Sequence, residues 1–171
     1  IEVGVGPRCP AFAPLCGYDA VRLGEFMDFL LPKFYFWHRG FDGMYGTLYR
    51  WVRRIGMWNP SLSQEDCFAV VKCWFGIDLP GIRTLSDFDL NGFPDEFFSE
   101  VVYNETRRAL EAAGGDTEKV IPWIGTGKSP HHGDPMTAHD LYRILKATED
   151  AGAKRFLFHS LCDLGAPEWS V

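Results

Sequence analysis

Arg8, Tyr35, His38, Asp42, Trp123, His132 and His159 are the side chains in this chain whose types and placement point to chemistry. Each lies at the end of an apolar segment or in the loop that follows one. Arginine, tyrosine and histidine donate hydrogen bonds, and histidine titrates near neutrality. Tryptophan offers a broad apolar plane with one donor at its edge. Asp42 is the best-placed carboxyl group for proton transfer, although Asp42-Gly43 is also a strong turn dipeptide. Together these groups suit a ligand that presents both hydroxyls and a flat apolar face.

Other chemistries fit less well. His131-His132-x-Asp134 supplies donors that a metal accepts, but their close spacing demands a third ligand from elsewhere. Gly125-Thr126-Gly127-Lys128-Ser129 looks like the end of a phosphate-binding loop. The glycine required five residues before Gly127 is replaced by Pro122, and Pro130 stands where the phosphate helix should rise, so nucleotide binding is excluded. A Gly-x-Ser-x-Gly nucleophile elbow is absent. No cofactor is indicated.

The segments that must position these residues alternate strand with helix. Strands are expected over 2–8, 31–37, 120–125 and 155–159. Asp19 caps a helix with the stripe Leu23, Phe26, Met27 and Leu30. Between about 41 and 96 lies a long insertion carrying two helices, near 44–56 and 63–76. Ser61 or Ser63, with Gln64 and Asp66, suggests a capping box at the second. A further helix is expected over 95–113, ended by Gly114-Gly115, and another after Thr137, with Asp140 in its first turn and Gly152 at its end. Strand–helix alternation implies parallel strands. The expectation is an α/β chain, about four units of a (β/α)8 TIM barrel, forming its C-terminal half with a helical insertion after the second strand. Residues 1–171 would then be a single partial barrel domain. In a barrel the site lies at the C-terminal ends of the strands, where Arg8, Tyr35, His38 and His159 fall. Lys33 shares strand parity with Tyr35, so both point to one side.

Composition narrows the partners. A net charge of −6 argues against nucleic acid, and the Arg50, Arg53, Arg54 group reads as the wet face of a helix. No apolar run reaches the length of a membrane span. Five cysteines with no C-x-x-C pair read as free thiols, which leans towards a reducing, cytoplasmic compartment. Aromatic residues make up 15% of the chain, a content shared by large cores and by sugar-binding surfaces.

Three segments resemble the family-10-like glycosyl hydrolases, a bacterial group of (β/α)8 proteins. They are Asp28-Phe29-Leu30-Leu31-Pro32-Lys33-Phe34-Tyr35, Val120-Ile121-Pro122-Trp123-Ile124-Gly125 and Lys154-Arg155-Phe156-Leu157-Phe158-His159. Gly17-Tyr18-Asp19 is also suitably spaced ahead of the first. Lys33 and Trp123 stand where that pattern usually has Met and Gly. The resemblance implies strands five to eight of a sugar-acting barrel, with Tyr35 as a site member. The main catalytic carboxylate would lie in a missing N-terminal half, the natural partner of this chain, and the fragment alone would be inactive. On that expectation the chain is part of a glycoside hydrolase acting on carbohydrate. Arg8, Tyr35, His38, His132 and His159 would contact sugar hydroxyls or orient carboxylates, Trp123 would stack on a ring, and Asp42 would serve as acid. Two alternatives stay open: a carbohydrate-binding barrel without catalysis, and a metal-dependent hydrolase or isomerase using His38, His132 and His159.

Overall fold

In the computed structural model, residues 1–36, 43–89, 93–126 and 137–171 are described. Among them are five strands of two residues each: β1 (Gly4–Val5), β2 (Phe29–Leu30), β3 (Lys33–Phe34), β4 (Trp123–Ile124) and β5 (Leu157–Phe158). β1 pairs with β2, and β3, β4 and β5 form a second sheet in that order, all parallel. A lone parallel bridge joins Leu30 to Val120.

This architecture corrects the expectation of a half barrel. Two small sheets of two and three strands stand in place of four continuous strand–helix units, and the regular structure is mostly helix. Proline interrupts three of the four stretches expected as strands. Pro7, Pro32 and Pro122 fall inside the stretches expected as strands, and each removes a ladder donor. Their carbonyls still accept, from Lys33 N, Trp123 N and Leu157 N respectively. Neighbouring chain therefore stays in parallel register while the regular ladder shrinks to pairs of residues.

The helices follow their capping signals. α1 (Ala13–Cys16) ends at Gly17, whose φ of 70° suits glycine. α2 (Ala20–Phe26) starts at Asp19, whose carboxylate accepts from Val21 N and Arg22 N. α3 (Met44–Trp58) has no side-chain cap; its first amides, Met44 N and Tyr45 N, donate to the carbonyls of Tyr35 and Phe36. That fixes the helix to the end of the β3 segment. α4 (Gln64–Phe75) carries a complete capping box between Ser63 and Asp66. A π-helical turn, Phe97–Val102, runs into α5 (Tyr103–Ala112). α6 (Ala138–Asp150) is capped by Thr137, which accepts from Asp140 N.

One face of the sheets packs on helices. Phe34, Phe36 and Ile124 share a core with Met44 and Leu48 of α3 and with Phe97. Phe36 meets Phe97 edge-on at 5.5 Å. The residue 43–89 segment therefore contributes to the main core rather than standing apart from it. Glu105, in α5, is 1% exposed. It accepts from Ala11 N at 3.0 Å and pairs with Arg108 at 2.8 Å. Arg108 also donates to the carbonyls of Phe75 and Gly76, which closes the C-terminus of α4. Burial pushes the Glu105 carboxyl above its usual range, against the pull of Arg108 and the Ala11 amide. Among the described residues, no helix is long and apolar enough to cross a membrane.

Candidate functional site

Three of the expected site residues, Tyr35, Trp123 and His159, meet on the opposite face of the sheets. Register sets this up: Lys33 pairs with Trp123, and Trp123 with Leu157. Beyond the assigned strands, Gly125 N donates to Phe34 O and His159 N to Ile124 O. Tyr35, Gly125 and His159 thus lie one step further along three adjacent segments. Side chains at every second position share a face, so Lys33 and Tyr35 emerge beside Trp123 and His159.

Aromatic contacts bind this group together. The Trp123 indole lies nearly parallel to the His159 imidazole, with centroids 5.9 Å apart and an interplanar angle of 23°. Tyr35 meets both edge-on, at 6.1 Å from Trp123 and 5.3 Å from His159. Such offset and edge arrangements suit the ring quadrupoles. Tyr35 is buried, whereas Trp123 and His159 are half-buried. The Lys33 ammonium lies 5.3 Å from the Trp123 ring centroid, a cation–π geometry. The indole Nε1 is buried and makes no hydrogen bond among the described residues.

Glycines make the room. A Cβ on Gly6 would sit 3.3 Å from the Trp123 ring, and one on Gly125 would sit 2.8 Å from Tyr35 Cδ1. Neither position has a positive φ, so space rather than backbone conformation explains the residue type. The signal was present in sequence as glycines inside strand patterns, although the partner rings were not readable from it.

Arg8 is placed differently. Its guanidinium donates to Thr47 Oγ1 in α3 at 2.6 Å and stands 4.8 Å over the Phe12 ring. Its carbonyl accepts from Tyr18 Oη. Arg8 thus braces the exit of β1 against α3. Thr47, the partner that the sequence did not suggest, is buried on a helix with nothing in its neighbourhood to single it out. Next to Arg8, the buried Cys9 thiol donates to the Lys33 carbonyl at 2.9 Å, and burial pushes its pKa well up. That thiol is a structural donor rather than a nucleophile.

His38, Asp42 and His132 lie outside the described residues, as do Trp37, Lys128, His131 and Asp134. Among the described residues, no group of three or more His, Cys, Asp or Glu is gathered to hold a metal. All five cysteines are free. A cleft of about 700 Å³ lies elsewhere, walled by α3, α4 and the chain from Ile77 to Phe88. Its lining is largely apolar and holds none of the expected site residues, so volume and chemistry disagree here. The aromatic face carries the recognisable functional groups and is the better candidate.

What this face can do is bind. A half-buried indole held by the buried Tyr35 ring gives an apolar platform, and the His159 imidazole and Lys33 ammonium beside it supply polar contacts. No Asp or Glu belongs to it among the described residues. No family model, curated protein or solved structure matches the chain, so the glycosyl-hydrolase resemblance rests on its three segments alone.

Proposed function

We propose that the face formed by Tyr35, Trp123 and His159 binds carbohydrate as part of a glycoside-hydrolysing site. The observation that carries this reading is the half-buried Trp123 ring, held parallel to His159 and flanked by Tyr35. A sugar ring has an apolar C–H face and a rim of hydroxyls, and it matches a flat indole bordered by hydrogen-bonding groups. Asp42 follows the β3 segment in sequence, and α3 begins two residues after it. In this reading it delivers a proton to the departing glycosidic oxygen, and a second carboxylate stabilises the oxocarbenium-like transition state.

A second reading has one observation in its favour. The aromatic rings and the Lys33 ammonium suit ligand binding, which needs no carboxylate. Calorimetric binding and reducing-sugar release, measured on a panel of oligosaccharides, separate the two. In the full-length protein hydrolysis is expected, with turnover falling far more than affinity in Asp42→Asn and binding lost in Trp123→Ala. Unchanged turnover in Asp42→Asn removes Asp42 from the chemistry. Binding without any turnover selects the second reading, and failure to bind any member of the panel overturns both.

A further inference from the structure

We infer that the carbohydrate recognised at this face carries an anionic substituent, a carboxylate or a sulfate, and that Lys33 is the residue that reads it. This rests on the carbohydrate reading above. The argument starts from the company Lys33 keeps. Its ammonium lies over the Trp123 ring, and among the described residues it meets no carboxylate. Two arginines that sit over rings do meet one. Arg143, over Phe98, pairs with Asp95 and Asp140. Arg155, over Phe29, stands 3.7 Å from Glu118. The lysines Lys72, Lys146 and Lys154 each pair with an acidic side chain as well.

Lys33 thus differs from these cations in having no acidic side chain beside it among the described residues, in a chain of net charge −6. Lys33 is half-buried, so water compensates its charge only in part. The indole face offsets some of that cost. A ligand anion would supply the missing counter-charge through a charge-assisted hydrogen bond, stronger here than at an open surface. Position agrees with the role. A sugar ring lying on Trp123 would hold a ring substituent within reach of an ammonium that already overhangs the same indole. A lysine is a compact charge with three rotatable donors, without the fixed fork of arginine, so carboxylate and sulfate are both admissible.

The test compares three probes by calorimetry: an oligogalacturonate, a sulfated galacto-oligosaccharide and a neutral malto-oligosaccharide. The anionic probes are expected to bind roughly 10-fold or more tighter than the neutral one, the worth of one hydrogen bond to a charged group. That preference should shrink as salt is raised. It should collapse in Lys33→Met and persist in Lys33→Arg, with circular dichroism confirming that both variants fold. If Lys33→Met does not fold, Lys33→Gln and the salt series on the unaltered chain carry the same test. Comparing the carboxylate and sulfate probes identifies which anion is preferred. Equal affinity for neutral and anionic probes, or a preference that survives Lys33→Met or salt, overturns the inference and leaves the carbohydrate reading standing. If none of the three probes binds, both fall.

Discussion

Replacing Gly125 with alanine tests whether the aromatic group is as tightly built as its geometry implies. The new Cβ would lie 2.8 Å from Tyr35 Cδ1, 3.4 Å from Cγ and 3.5 Å from the Tyr35 Cα. Comfortable carbon–carbon contact begins near ~3.5 Å, so the ring edge must recede by roughly 0.7 Å. Tyr35 is 2% exposed and is met edge-on by Trp123 and His159. The strain therefore passes to both. Overpacking of this kind costs about 1–3 kcal/mol. Against it stands a gain of roughly 0.5–1 kcal/mol for removing glycine from an extended segment. The net expectation is a loss of about 1–2 kcal/mol. Urea unfolding reads it as a lower midpoint at unchanged slope. A double-mutant cycle locates the cause: with Tyr35→Ala already in place, Gly125→Ala should lose its penalty. A stability gain from Gly125→Ala alone, the size of the bare propensity term, would refute the reasoning.

Three further outcomes are expected. Gly24→Ala would place a Cβ 2.0 Å from the Ala112 carbonyl oxygen, which belongs to the backbone of α5. It should cost about 3 kcal/mol in urea unfolding although helix propensity favours alanine by about 1 kcal/mol, and a raised midpoint would contradict this. Because burial raises the Glu105 pKa in the folded chain, its contribution is full below the usual glutamate range near 4.5 and is lost as pH rises through the raised folded value. Glu105→Gln should flatten that part of a stability–pH curve, and an unaltered curve would show that the carboxyl is not held up. Ser63→Ala removes the capping-box acceptor of Asp66 N and should lower stability by about 1 kcal/mol in urea unfolding; an unchanged midpoint would make the cap inert.

Most helices were readable, but the stripe expected after Asp19 was not: α2 ends at Phe26, which is exposed, and Leu30 belongs to β2. Met44, Leu48, Val52 and Ile55 are buried as their helical spacing requires, and Ser63 with Asp66 caps α4. Trp51 shares that stripe but is only half-buried, meeting Trp58 and Trp74 instead. The helix expected over 95–113 opens as a π-helical turn, where adjacent Phe97 and Phe98 are both buried; no simple period announces that register. Strand extent was less readable. Apolar runs through Pro32 and Pro122 look like continuous buried strands, yet each proline interrupts the ladder, so neither strand length nor barrel closure follows from hydrophobicity. The site shows the same division. The residues at 35, 123 and 159, expected at strand ends, are in contact in the structure. The contact between Lys33 and Trp123 depended on strand register, which the 89 residues of intervening chain conceal.

The most direct test of the account is whether a sugar reaches the indole of Trp123. In a proton–nitrogen NMR spectrum, the indole resonance lost in Trp123→Phe identifies that side chain. Titration with oligogalacturonate should shift this resonance progressively to saturation, with the same affinity that calorimetry gives. A resonance that stays in place while calorimetry reports binding would show that the ligand lies elsewhere and that the aromatic face is only packing.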